Sequence, residues 1–217
     1  NKLLREDNIV AASGSLPSDL ERVWTARRPG AYHLEYGFSC MGYEVSGALG
    51  VKLADPEHEV YTFVGDGGFL MGHSDLLTSI QEGHKINVLL FNNSGHQCIH
   101  NLERSQGMDT FGTEFRFREQ STGGLTGSYV PVNYSELASA YGAKTWRVTT
   151  LAELHAAIEA SKQADVSTLI EIMVLPGTMT EGYENFWRVG TAAVSEKESV
   201  RKAYKKLNDV VKNLRKY

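Results

Sequence analysis

Two short stretches hold the residues best suited to chemistry: Gly65-Asp66-Gly67 and Asn92-Asn93-Ser94-Gly95. The first closes a strand-forming run, Val60-Tyr61-Thr62-Phe63-Val64, and the second closes another, Val88-Leu89-Leu90-Phe91. Asp66 offers a charged carboxylate, Asn93 a neutral amide oxygen, and Gly95 a backbone carbonyl. A hard divalent cation such as magnesium takes about six oxygens near octahedral geometry, commonly a few from protein and the rest from phosphates and water. Gly65, Gly67 and Gly68 let backbone N–H groups come close to a diphosphate. Alone, each stretch is ordinary turn chemistry. Together, each directly after a buried-type strand, they point to one metal–diphosphate site.

That pairing requires a particular frame. The runs at 60–64 and 88–91 enclose a helical pattern near Ser74 to Glu82, with Leu76, Leu77 and Ile80 on one stripe and Asp75 in the first turn. Strand, helix, strand over this length is a βαβ unit. A right-handed crossover puts both C-terminal strand ends on one edge of a parallel sheet, where open α/β sheets bind ligands. The dipole of the helix after Gly67 favours an anion there.

The rest of the chain supplies more of the same alternation. Asn8 to Ala12 reads as a strand, and Leu16-Pro17-Ser18 opens a helix with Leu20, Val23 and Trp24 on one face. Ala31 to Glu35 reads as a second strand, 37–42 as a loop, and the stretch after it as a small-residue helix with Val45, Ala48, Leu49 and Leu53 apolar. Residues 97–106 read as a helix. Residues 107–131 have no period; Phe111, Phe115, Phe117, Arg116 and Arg118 either line a site or belong to a surface loop with its aromatics turned inward. Capping boxes at Asn133/Glu136 and Thr150/Glu153 open two helices, the second with Leu151, Leu154 and Ile158 as its apolar face. Ala143 to Val148 and Ser167 to Val174 read as strands. An irregular arm over 178–194, with Tyr183, Phe186 and Trp187, leads to a basic helix capped by Ser195 and Glu198, its lysines either solvated or facing an acidic partner. The expected fold is a three-layer α/β/α domain with a mostly parallel sheet over 1–176, then an arm and basic helix over 177–217.

The 217 residues, 41% hydrophobic, suit one sizeable core plus a tail. A net charge of −4 gives no reason to expect a nucleic-acid partner. No apolar run approaches the ~20 residues of a membrane span. Cys40 and Cys98 form no disulfide framework and suit a reduced, cytoplasmic setting. A chain that opens on Asn1 and enters a strand pattern almost at once reads as a piece of a longer polypeptide.

Gly65-Asp66-Gly67, 25 residues, then Asn93 resembles the thiamine-diphosphate signature of acetohydroxyacid synthases, 2-oxo acid decarboxylases and their relatives. The resemblance implies thiamine diphosphate and Mg2+ as cofactors, with Asp66, Asn93 and the Gly95 carbonyl as metal ligands. Cys40-Met41-Gly42-Tyr43 resembles the family loop whose bulky apolar residue, placed before a glycine, wedges the bent cofactor. Met41 takes that role, and the Ser39 carbonyl accepts from the aminopyrimidine. Tyr32 to Ala48, Asn87 to Gly95, Phe111 to Arg116 and Thr178 to Gly182 are similar to one branch, which opens trihydroxycyclohexane-1,2-dione in inositol breakdown.

The branch implies a cyclic dione substrate and hydrolysis of a C–C bond to a 5-deoxy uronic acid. His96 and Gln97, then His33 and Glu35, are the candidate substrate-side groups, with His73 behind them; each histidine also has an ordinary structural reading. The family places a glutamate on a separate pyrimidine-binding domain and builds its site between two subunits, so a homodimer or homotetramer is expected, and this chain alone should bind cofactor weakly and be inactive. Two alternatives stay open: a synthase or decarboxylase acting on a 2-oxo acid, and a non-catalytic binding or assembly domain.

Overall fold

In the computed structural model, which describes residues 1–178 and 190–213, the strands and helices alternate along most of the chain. Strand β1 (Asn8–Ala11) is followed by α1 (Ser15–Val23), β2 (Tyr32–Leu34), α2 (Tyr43–Ala54), β3 (Val60–Gly65), α3 (Asp66–Gly72), α4 (Ser74–Gln81) and β4 (Asn87–Asn92). Then come α5 (Gln97–Ser105), α6 (Tyr134–Ala140), β5 (Lys144–Val148), α7 (Leu151–Lys162), β6 (Thr168–Met173) and α8 (Glu198–Lys212). The backbone forms two compact units, Asn1–His96 with Val130–Pro176, and Gln97–Tyr129 with Gly177–Tyr217.

The first unit is built on one six-stranded sheet of order β2-β1-β3-β4-β6-β5, with every pairing parallel. Its inner strands β1, β3, β4 and β6 are buried on both faces, as parallel strands between helices must be, while the edge strands β2 and β5 are partly exposed. One face packs Val10, Val60, Val88, Leu90 and Leu169 against Val45, Ala48, Phe69, Leu76, Tyr134 and Ala138, from α2, α3, α4 and α6. The other packs Ile9, Tyr61, Leu89 and Ile170 against Leu20, Ala157 and Ile158, from α1 and α7. The alternation Val60/Tyr61, Val88/Leu89 and Leu169/Ile170 is the period of two that a sheet imposes. The result is the expected three-layer α/β/α architecture.

Some local expectations change. The helix after β3 begins at Asp66 itself, as a short α3 distinct from α4. Thr150 and Glu153 form the full capping box, whereas Asn133 gives only half of one, accepting from the Glu136 N–H. Leu151 is 75% exposed, because the capping box sets it as the first helical residue and turns Ala157 and Ile158 inward instead. Val23 and Leu53 are also exposed, each near the last turn of its helix, where the chain leaves the core.

In the second unit, α8 has Lys197 as N-cap and no side-chain cap; Ser195 Oγ instead accepts from the Lys197 N–H at 3.1 Å. Its exposed basic side chains pair along the helix, Arg201 with Glu198 and Lys212 with Asp209, as in a solvated face. Within residues 107–129, an ion pair and a ring contact join Glu114, Arg116 and Tyr129. Glu114 takes Arg116 at 3.0 Å and the Tyr129 hydroxyl at 2.6 Å, and the Arg116 guanidinium lies 3.8 Å above the Tyr129 ring. Phe111 and Phe117 are exposed. The arm residues Tyr183, Phe186 and Trp187, and most of Thr178 to Gly182, lie outside the described residues. Among the described residues no helix is long and apolar enough to cross a membrane.

Candidate cofactor and metal site

The chain moves across the sheet one way from β1 to β2 and the other way from β3 to β4, so a crevice opens at the carboxyl ends of these strands. Asp66 follows directly on β3, and Asn93 directly on β4. The pairing of Gly65 with Phe91 across β3 and β4 brings the two loops side by side.

Asp66 is completely buried, and its Oδ2 accepts from the Gly95 N–H at 2.9 Å. Burial pushes its carboxyl up to about 6, against the N–H groups of Gly95, Gly67 and Asn93, which pull it down. A buried carboxylate with only amide donors holds uncompensated charge, the situation a cation relieves.

The Asn93 amide completes the picture. With its nitrogen inward it donates to Asp66 Oδ1 at 3.0 Å and to the Gly95 carbonyl at 2.9 Å. With its oxygen inward, the same separations join three oxygens and no proton. Neighbouring oxygens of an octahedral ion with arms of 2.0–2.1 Å stand about 2.9 Å apart. The inward position therefore suits a donor when the crevice holds no cation and an oxygen when it does. Among the described residues no cluster of three or more His, Cys, Asp or Glu side chains forms a metal site. This set instead uses one carboxylate, one amide and one carbonyl, the sparse protein share that a phosphate-bound magnesium takes.

The glycines divide by role. A Cβ on Gly67 would collide with the His96 imidazole, and one on Gly68 would lie 3.1 Å from Glu44 Oε1. At Gly65 a Cβ would meet no atom within 4 Å, so the room there is not taken by the chain itself. Gly72 packs against the loop before α2: a Cβ there would lie 2.5 Å from the Gly42 carbonyl oxygen.

Two carboxylates shape the Met41 loop. Glu35 Oε1 accepts from the Phe38 N–H at 3.0 Å, and Oε2 from the Cys40 N–H at 2.6 Å. Glu44, buried near the start of α2, accepts from the Gly42 N–H at 2.8 Å, and burial raises its carboxyl. Ser39 sits at φ 59 and Gly42 at φ 90, so the loop turns sharply on both sides of Met41. Met41 itself is 37% exposed. Sequence reasoning does not single out Glu44; its place two residues after a glycine at a helix start is the signal that marks it.

The substrate-side candidates are each held differently. His96 lies against Gly67, beside Asp66. Gln97 is buried in the second unit, where its Oε1 accepts from the Gly177 N–H at 2.7 Å. His33 is half-buried on β2, and Glu35 is engaged with the loop backbone. His73 Nδ1 pairs with the Tyr141 hydroxyl at 2.8 Å, with the rings stacked, and so ties α3 to α6.

Residues 12–172 match the family described as thiamine pyrophosphate enzyme, C-terminal TPP binding domain. A 3D-(3,5/4)-trihydroxycyclohexane-1,2-dione hydrolase 2 of Bacillus cereus is 57% identical over 94% of this chain and 32% of its own length. The 3D-(3,5/4)-trihydroxycyclohexane-1,2-dione hydrolase of Geobacillus thermodenitrificans is 54% identical over 100% of this chain and 34% of its own. The chain thus spans about a third of the length of the curated relatives it matches. Among solved structures, the thiamine diphosphate-dependent 4-hydroxybenzoylformate decarboxylase of Rhodococcus jostii RHA1 shares the fold, with a TM-score of 0.67 at 21% identity over 80% of this chain and 31% of that one. The chain belongs to the thiamine pyrophosphate enzyme family, whose C-terminal TPP-binding domain it carries.

Proposed function

We propose that this chain is the cofactor-holding part of a thiamine-diphosphate- and magnesium-dependent hydrolase that opens the ring of trihydroxycyclohexane-1,2-dione to a 5-deoxy uronic acid. The observation that carries the cofactor reading is the meeting of Asp66 Oδ1, the Asn93 amide and the Gly95 carbonyl at 2.9–3.0 Å around a buried, uncompensated carboxylate. The choice of substrate rests on the 54–57% identity to relatives that bear that name.

In this reading Asp66, Asn93 and the Gly95 carbonyl hold the magnesium, and the backbone at Gly65, Gly67 and Gly68 receives the diphosphate. Met41 supports the cofactor's bend, with Ser39 and Cys40 beside it, while Glu35 and Glu44 hold the loop in shape. The bound cofactor supplies the carbanion chemistry that C–C cleavage needs. His96, next to Gly67, is the first residue to test for contact with substrate; His33 follows. Gln97 and Glu35 act through backbone N–H groups they already hold.

The remainder of the site belongs to a pyrimidine-binding domain of the same or a neighbouring subunit, in a homodimer or homotetramer. Support comes from the apolar side chains exposed on this unit, Phe38 at 92% with Leu70 and Met71, which such a domain would cover. The free thiols Cys40 and Cys98 fit a cytoplasmic enzyme.

The test offers the cyclic dione and pyruvate separately to the full-length protein with thiamine diphosphate and Mg2+. Ring opening of the dione to an acid is expected. Turnover of pyruvate alone would instead favour a 2-oxo acid enzyme.

A further inference from the structure

The turn that presents the third oxygen needs a brace. Ser94 sits at φ 61 and Gly95 at φ 156, and a left-handed conformation is unfavourable for serine. The Ser94 N–H is capped by Asn92 Oδ1 at 3.2 Å. The other end of that carboxamide, Nδ2, donates to Glu171 Oε1 at 2.8 Å.

Glu171 lies in the middle of β6, 0% exposed, between the apolar Ile170 and Ile172. Its Oε2 accepts from the Ser135 N–H at 3.2 Å and from Ser135 Oγ at 2.9 Å, and Arg147 Nε stands 3.7 Å from Oε1. Both oxygens are engaged, so the carboxylate cannot swing away. A buried acid in a sheet is unfavourable unless its partners satisfy it, and the partner on the metal side is Asn92. An amide held by its nitrogen has only one way to aim its oxygen. Glu171 thereby fixes which end of Asn92 faces the turn, and the turn fixes where Asn93 and Gly95 point.

We propose that Glu171 is a positioning residue for the metal loop, acting through Asn92 on Ser94 and so on the Asn93 and Gly95 ligands. The inference rests on the magnesium site proposed above, and Glu171 itself does not touch the ion. Partners of this indirect kind typically alter metal affinity 10–100-fold when lost.

The test titrates Mn2+, a paramagnetic stand-in for Mg2+, into the full-length protein at saturating thiamine diphosphate, with free ion read by electron paramagnetic resonance and folding followed by thermal melting. Glu171→Ala is expected to weaken Mn2+ binding by about 10–100-fold. Glu171→Gln should lose less than Glu171→Ala, because its amide oxygen still accepts from Asn92 although its nitrogen then faces the Ser135 N–H. Asn92→Ala, which spares Glu171 its Ser135 and Arg147 partners, should reproduce the loss, and it carries the test if Glu171→Ala does not fold. Tyr61→Phe, which breaks a buried hydrogen bond to Ser161 on the opposite face of the sheet, should lower the melting temperature with no change in Mn2+ affinity. Wild-type affinity in both Glu171→Ala and Asn92→Ala would overturn the positioning role alone. Failure of the wild-type protein to bind Mn2+ would overturn the metal site as well.

Discussion

Replacing Asp66 by Asn should stabilise the metal-free protein while removing its response to magnesium. The isolated carboxyl titrates near 3.8, and burial in the fold pushes it up to about 6. A raised carboxyl is favoured in the folded state when protonated. Its contribution is therefore fully present below pH 3.8 and is lost as pH rises through about 6. A rise from 3.8 to about 6 corresponds to about 3 kcal/mol, which for a domain of this size is roughly 6–12 °C in melting temperature.

Asparagine cannot carry the charge. Its oxygen can still accept from the Gly95 N–H, and its nitrogen can face the Asn93 amide oxygen. In EDTA at pH 8, Asp66→Asn should melt higher than wild type by up to that amount, and the gap should close as pH falls toward 4. Added Mg2+ should raise the melting temperature of wild type and leave the variant unmoved. Two results in differential scanning fluorimetry would refute the reasoning. One is a variant equally destabilised at pH 5 and pH 8 in EDTA. The other is a variant stabilised by Mg2+ as strongly as wild type.

Three further outcomes follow from the same geometry. Gly72→Ala sets a Cβ 2.5 Å from the Gly42 carbonyl oxygen, a backbone atom that cannot rotate aside, so thermal unfolding should show a loss of about 1–3 kcal/mol; an unchanged melt would contradict the close contact. Glu35→Ala frees the Phe38 and Cys40 N–H groups, so hydrogen exchange over residues 36–41 should accelerate while β3 and β4 stay protected; equal protection of the loop would show that Glu35 does not hold it. Met41→Ala should lower kcat more than cofactor affinity, since the wedge role proposed for it acts on the cofactor's shape; the reverse pattern would argue that Met41 only fills space.

Much of the frame was legible because it rests on periods. The runs at 60–64 and 88–91 are buried on both faces, so their composition alone identified strands of a parallel sheet, and crossover handedness then set Asp66 beside Asn93. Helix α3 was not legible, since three of its seven residues, Gly67, Gly68 and Gly72, are poor helix formers. Tertiary packing holds it instead, through Phe69 against the Tyr134 ring at 6.1 Å. The clamps by Glu35 and Glu44 are hard to assign from the sequence because their partners are backbone N–H groups, identical in every residue; only the place of Glu44 just after Gly42 marks it. Gln97 adjoins the metal loop in sequence, and the sequence does not show that its amide oxygen accepts from the Gly177 N–H, eighty residues on. Glu171 read as part of an apolar strand, and only the register with β4 brings it to Asn92.

The central claim is that Asp66, Asn93 and the Gly95 carbonyl hold a magnesium ion that in turn holds the cofactor's diphosphate. Isothermal titration calorimetry of thiamine diphosphate into the full-length protein, with Mg2+ and with EDTA, tests it most directly. The account predicts saturable heat that requires Mg2+ and disappears in Asp66→Ala. Equal binding in EDTA, or unchanged affinity in Asp66→Ala, would contradict it.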